Sequence, residues 1–417
     1  MADEVTLKAT LARPYLAATN TAQVAYVLLE LMPSASVAQV RVPVNVSFVL
    51  DRSGSMKGEK IDRVRKATSA ALDLLDQQDT VSVVVFDHRT KVLIPSTSVA
   101  DRAAMQREVS QIRDAGGTRI APALIDALQE LDKADAGMIR RLVLLTDGQT
   151  ENETECLVQA EHAGRKGIPI TALGVGKDWN EDLLIDMANR SGGTADYIHK
   201  PDQMVEYFQL TVQRAQATAI RNANLTLRLV QGVNPRAVWQ VIPLIDNLGY
   251  QPISERDVHV PLGELESGQG RTLLIELLVD PRPVGQYRIG QVEATYDVPA
   301  MQVQGAKSRL DIMLTFTQDA SLIQQVHAPV MNIVEKVSAF KLQTRALQDL
   351  QSGNVAAATQ KLKSAVTRLL SQGEVDLAQT MQQEITNLEQ SGQMSSEGQK
   401  TVKFGTRKTV RLSDLDQ

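Results

Sequence analysis

Hydrophobic and polar positions change rhythm several times along the chain. Over residues 4–33 they alternate: Val5, Leu7 and Ala9 stand between polar neighbours, and QVAYVLLEL follows a turn region, which predicts strands. About forty residues cannot bury a sheet face alone, so these strands need partners elsewhere in the chain. From Val44 to about Ala217, four short apolar runs (VNVSFVL, TVSVVVF, RRLVLLT and PITALGV) alternate with amphipathic stretches at 59–77, 101–113, 120–135, 154–166, 180–190 and 201–217. Runs rich in Val, Ile and Leu on both faces predict a mostly parallel sheet covered by helices on both sides. KVLIP at 91–95 follows its predecessor too closely for a parallel crossover, which predicts an antiparallel edge strand.

Between Asn222 and Thr317 the helical period disappears. Six strand-like runs separated by Pro, Gly and Asn predict a β-sandwich completed by the N-terminal strands. Residues 320–391 return to helical period, broken at Ser352-Gly353-Asn354 and at Gly373, which predicts a hairpin or small bundle of two or three helices. The expected organisation is therefore sandwich strands in 1–41, an inserted α/β domain in 42–218, the rest of the sandwich in 219–317 and helices in 318–391. The polar and basic stretch 392–417 reads as a flexible tail with few apolar anchors.

Composition narrows the class. The chain has 417 residues, too many for one core, and 43% hydrophobic with 22% charged residues is ordinary for a globular protein. With 44 basic and 49 acidic residues the net charge is −5, which argues against a nucleic-acid surface. Cys156 is the single cysteine, so no intrachain disulfide can form and a reducing compartment is expected. MADEVTLKAT lacks the basic and apolar regions of a signal peptide, and no apolar run reaches the ~18–20 residues of a membrane helix. The expectation is a cytoplasmic protein without a membrane span.

Ligands in open α/β sheets bind beyond the carboxyl ends of the strands. After the first buried strand comes Asp51-Arg52-Ser53-Gly54-Ser55, after RRLVLLT comes Asp147-Gly148, and before the helix at 120 comes Gly116-Gly117-Thr118. Asp51, Ser53 and Ser55 stand at i, i+2 and i+4, so they can face one point in an extended loop. Two carboxylates and three hydroxyls, with no His or Cys, suit a hard divalent ion, Mg²⁺ or Mn²⁺. Taken singly, each of these residues reads more readily as a turn or helix-cap residue than as a metal ligand. GVG at 174–176 reads as a tight turn, since it lacks a third glycine and ends a late strand. The five histidines show no ligand spacing, Asp79 and Asp87 read as turn residues, and Cys156 reads as a packing thiol.

The order of these pieces resembles the von Willebrand factor A (VWA) fold with its metal-ion-dependent adhesion site, over about 42–218. The matching stretches are SFVLDRSGSMKGEK, DTVSVVVFD, AGGTRIAPAL, RLVLLTDGQT and ITALGVGKDWNEDLL. The flanking segments resemble the bacterial, calcium-activated-chloride-channel-like branch. The resemblance implies a Rossmann-like domain in which Ser53, Ser55 and Thr118 bind the ion directly or nearly so and Asp51 and Asp147 often act through water. It further implies that a partner protein supplies an Asp or Glu to the ion. Weighed against this non-enzymatic interaction module are an Mg/Mn-dependent hydrolase and a regulatory subunit of an AAA-type ATPase complex. In the tail, Thr401, Thr406 and Thr409 lie among Lys400, Lys403, Arg407, Lys408 and Arg411. They are candidates for a Ser/Thr kinase and a forkhead-associated reader, against the plainer reading of a solvated basic segment.

Overall fold

The computed structural model describes residues 4–414 apart from 136 and 255. Two compact units divide the chain, one spanning Val40–Thr218 and the other formed by the segments on either side of it. Before the insertion come β1 (Val5–Leu11), β2 (Tyr15–Ala17), β3 (Gln23–Pro33) and the single turn α1 (Ala35–Ala38).

The inserted unit contains β4 (Val44–Asp51), α2 (Glu59–Leu74), β5 (Thr80–Phe86), β6 (Thr90–Ser98), α3 (Arg102–Ser110), α4 (Ile120–Leu131), β7 (Ile139–Thr146), α5 (Glu153–Arg165), β8 (Ile170–Val175), α6 (Glu181–Ser191), β9 (Thr194–Ile198) and α7 (Met204–Gln216). Its sheet has the order β6-β5-β4-β7-β8-β9. Every pair is parallel except β5–β6, so KVLIP lies in the antiparallel edge strand as expected. All eight residues of β4 are buried because both faces are covered. Phe48 stacks on Phe208 of α7 at 5.5 Å, while Asn45, on the opposite face, donates from Nδ2 to the Leu131 carbonyl that ends α4. β9 has no counterpart among the predicted strands: TADYI is five residues long and mixed in polarity, and the sheet edge rather than its composition makes it a strand.

The second unit continues with β10 (Thr218–Leu229), β11 (Val233–Ile242), β12 (Asp246–Asn247), β13 (Gln251–Pro252), β14 (Asp257–Glu266), β15 (Arg271–Val279), β16 (Gly285–Val298) and β17 (Val303–Thr317). Two sheets, β1-β3-β15-β11-β12 and β13-β14-β10-β16-β17-β2, face each other across one core. The N-terminal strands supply β1 and β3 to the first sheet and β2 to the second. β3 and β15 are apolar on both faces. Leu29, Leu31, Ile275 and Leu277 enter the sandwich core, while Leu28 and Leu274 meet Val330, Ile333 and Val337 on the outside.

Those outer partners belong to α9 (Ala328–Gln351), which follows the short α8 (Ala320–Ile323) and leads into α10 (Val355–Ser371), α11 (Val375–Ser391) and α12 (Ser396–Arg407). The bundle thus has four helices, one more than the apolar pattern predicts, and the stretch expected to be a flexible tail is folded in it. Gly398 and Gly405, one heptad apart, let α12 approach α11: a Cβ at Gly398 would stand 2.1 Å from Glu384 and one at Gly405 2.7 Å from Leu377. Val402 and Phe404 are buried. Arg407 donates from Nε to the Ile245 carbonyl and from Nη2 to Asp246, and the Thr406 hydroxyl donates to Gln343, so these three donors meet protein acceptors instead of water. Among the described residues no helix is long and apolar enough to cross a membrane.

A candidate metal centre at the ends of adjacent strands

Asp51 ends β4 and Thr146 ends its parallel neighbour β7, where Leu50 lies opposite Leu145. The Thr146 hydroxyl donates to Asp51 Oδ2 at 2.6 Å, and the Ser53 amide donates to Asp51 Oδ1 at 2.7 Å. That second bond curls the chain after Asp51, and a short 3₁₀ turn over Gly54–Met56 follows. The Ser53 and Ser55 hydroxyls lie 3.0 Å apart, and Ser55 donates to Asp147 Oδ1 at 2.6 Å. Asp51, Ser53 and Asp147 are all buried.

The third loop is strapped to the first by backbone bonds. Gly54 N donates to the Gly116 carbonyl at 2.9 Å, and Ala115 N donates to the Arg52 carbonyl at 2.7 Å. Thr118 follows. Its Oγ1 lies 3.3 Å from where a Cβ on Gly148 would stand, and Ser55 Oγ lies 3.9 Å from the same point. The Thr150 hydroxyl accepts from Ile120 N at 3.0 Å, which fixes the start of α4. Asp51, Ser53, Ser55, Thr118 and Asp147, drawn from three loops, therefore surround one place.

Burial pushes the Asp51 carboxyl up to about 6, against the hydrogen bonds from Thr146 and Ser53 and with a smaller push from the charge of Asp147. Burial and the second carboxylate both disfavour the ionised form of Asp51, and a cation at this place would offset them. The donor set is entirely oxygen, so the residues present fit a hard divalent ion and not zinc.

Several neighbours were not marked by sequence. Lys60 ion-pairs with Asp147. Arg52 pairs with Asp87 at 2.6 Å, and His88 Nδ1 lies 2.9 Å from the other oxygen of Asp87. The His88 ring fills the space where a Gly116 side chain would be. Thr146 could have been found from its place before Asp147; the reach of Lys60 and His88 could not.

The α/β unit matches the von Willebrand factor type A domain model over residues 45–210, and residues 328–412 match the C-terminal alpha-helical domain of Sll0103-like proteins. The sll0103 protein of Synechocystis is 31% identical over 365 residues, covering 86% of each chain. The chain belongs to the Sll0103-like family of VWA proteins. Its VWA region is also similar to inter-alpha-trypsin inhibitor heavy chain H4 of Bos taurus, 33% identical over 186 residues, or 40% of this chain and 20% of that protein. Among solved structures, a von Willebrand factor type A protein from Catenulispora acidiphila aligns with a TM-score of 0.80 at 21% identity over 98% of this chain and 97% of its own. The ArnB paralog VWA2 from Sulfolobus acidocaldarius aligns at 0.60 and 14% identity over 97% and 99%. At such identities these likenesses show the fold, and they extend it beyond the VWA domain to nearly the whole chain.

Thr401, half-buried on α12, donates to the Glu397 carbonyl. Thr406 and Thr409 are 1% and 2% exposed, which sets them inside the fold and not on a free tail. Cys156 is buried, and its thiol is pushed up to about 11 by burial and then by Glu155, as befits a packing residue. Gly176, φ 70°, makes the turn read from GVG, and Gly174 lies against the Trp179 ring.

Proposed function

We propose that the VWA domain is a non-enzymatic binding module that captures an Asp or Glu side chain of a partner protein. It does so at a Mg²⁺ or Mn²⁺ ion held by Asp51, Ser53, Ser55, Thr118 and Asp147. The observation that carries this is the unbroken chain of short contacts from Asp51 through Ser53 and Ser55 to Asp147, with Thr118 beside it. The bound ion supplies a compact positive charge able to take one further oxygen ligand from outside. The chain's own residues do the positioning. Thr146 and the Ser53 amide orient Asp51, Ser55 orients Asp147, and the Gly54–Gly116 bond holds the threonine loop in place.

A hydrolase would need a base able to activate water. The nearby imidazole, His88, pairs with Asp87 and packs against Gly116, and among the described residues it makes no hydrogen bond to Asp51, Ser53, Ser55, Thr118 or Asp147. The AAA-ATPase reading names a partner and not a different chemistry, so it stays within the proposal. Phosphorylation with a forkhead-associated reader is retained at Thr401, the most accessible of the three candidate threonines.

The test is capture of partner proteins from the source cell with Mg²⁺ or with EDTA. Wild type is expected to hold its partner only with Mg²⁺. Asp51→Ala and Asp147→Ala should lose at least about tenfold in capture, one charge-assisted ligand contact, with unchanged circular dichroism. Capture that survives chelation and both substitutions refutes the proposal.

A further inference from the structure

Lys60 stands at the same centre, yet no ligand pattern asks for it. It lies in the first turn of α2, just after Gly58, whose φ of 81° turns the chain into the helix. Its ammonium pairs with Asp147 Oδ2, while Asp147 Oδ1 accepts from Ser55. The same ammonium lies 3.8 Å from where a Cβ on Gly176 would stand, so it sits between the ends of β7 and β8. The Asp147 side chain is fully buried and that of Lys60 is 28% exposed. Screening by water is therefore incomplete at this pair.

We propose that Lys60 is a fixed counter-charge of the centre: it weakens the hold on the divalent ion and strengthens the loaded centre's pull on an incoming carboxylate. This rests on the ion-dependent reading above and adds the regulation of that site. Ionised Asp51 and Asp147 give two negative charges, and Lys60 leaves one. A divalent ion then brings the loaded centre to one net positive charge. Without Lys60 the loaded centre would be neutral. The ion would meet less repulsion, and an arriving carboxylate would meet a weaker net attraction. Lys60 is a positioning residue here, acting through Asp147 and through the field.

The signature is a pair of opposed effects. A lysine that merely oriented Asp147 would, once removed, weaken ion and carboxylate binding together. Mn²⁺ is titrated calorimetrically into the full chain as wild type, Lys60→Gln, Lys60→Met, Lys60→Arg and Asp51→Ala. Acetate binding to the Mn²⁺-loaded protein is then read from water-proton relaxation. Lys60→Gln and Lys60→Met should bind Mn²⁺ about tenfold more tightly and acetate about tenfold more weakly, the size expected for one unit charge at a partly screened distance. Lys60→Arg should keep both within about twofold, because the charge stays. Loss of both affinities in Lys60→Gln and Lys60→Met, or no change in either, overturns the assignment while leaving the ion reading intact. Equal Mn²⁺ uptake by wild type and Asp51→Ala overturns the ion reading itself, and the assignment with it.

Discussion

A Cβ added at Gly148 would stand 3.3 Å from Thr118 Oγ1 and 3.9 Å from Ser55 Oγ. The first distance is tight, and one of the two loops must yield by a few tenths of an ångström. Gly148→Ala is therefore expected to move the Thr118 hydroxyl away from the serines and to cost about tenfold in Mn²⁺ affinity by calorimetry. The backbone there does not need glycine's freedom, so the melting temperature should change by no more than about 2 °C. Wild-type Mn²⁺ affinity in this variant would mean that Thr118 is not part of the centre. Asp51, Ser53, Ser55 and Asp147 were candidates in the sequence because they stand at or just after the ends of buried strands, and Thr118 because it precedes the helix at 120 in the order of the VWA resemblance. Lys60, His88 and the Arg52–Asp87 pair were not legible. A long or rotatable side chain can end anywhere within several ångströms of its Cα, and only packing chooses the place.

Elements were legible where one physical signal dominated. β4, β5, β7 and β8 read as buried strands because helices cover both of their faces, and β3 and β15 carry apolar residues on both faces because α9 covers the side away from the sandwich core. β9 and α12 failed for opposite reasons. β9 is too short and mixed to show a period, whereas α12 hides its packing in two glycines and in polar residues that find buried partners. That packing bears on the candidate phosphosites. A kinase must reach the hydroxyl it modifies, and Thr406 is inside the bundle with its hydroxyl donated to Gln343 at 3.0 Å. When the folded chain is incubated with a bacterial Ser/Thr kinase and mapped by mass spectrometry, label is expected at Thr401 and below about one-tenth of that level at Thr406 and Thr409. Label at Thr406 or Thr409 equal to that at Thr401 would show that α12 opens readily.

At the scale of the whole molecule, the insertion enters and leaves the α/β unit at the end of the sheet away from the candidate centre. Arg41, just inside the entry, pairs with Asp76 at 2.6 Å and also with Asp79, and Asp79 accepts from Val44 N at 2.9 Å at the start of β4. Gln216, just before the exit, donates to the Leu74 carbonyl at 2.9 Å. Both connections are thus anchored at the C-terminal end of α2 and the loop that follows it. The centre lies at the other end of β4, about 25 Å along an eight-residue strand. The unit's core is its own: Phe48, Phe208, Leu145 and their neighbours are closed off by helices of the same segment. A protein made of residues 40–218 alone should therefore fold cooperatively. Its Mn²⁺ affinity by calorimetry should lie within about threefold of the full chain, since each proposed ligand and Lys60 belong to this segment. Loss of Mn²⁺ binding in a segment that still shows a cooperative thermal transition would mean that the rest of the chain completes the centre, and the geometry assigned to the five residues would then be insufficient.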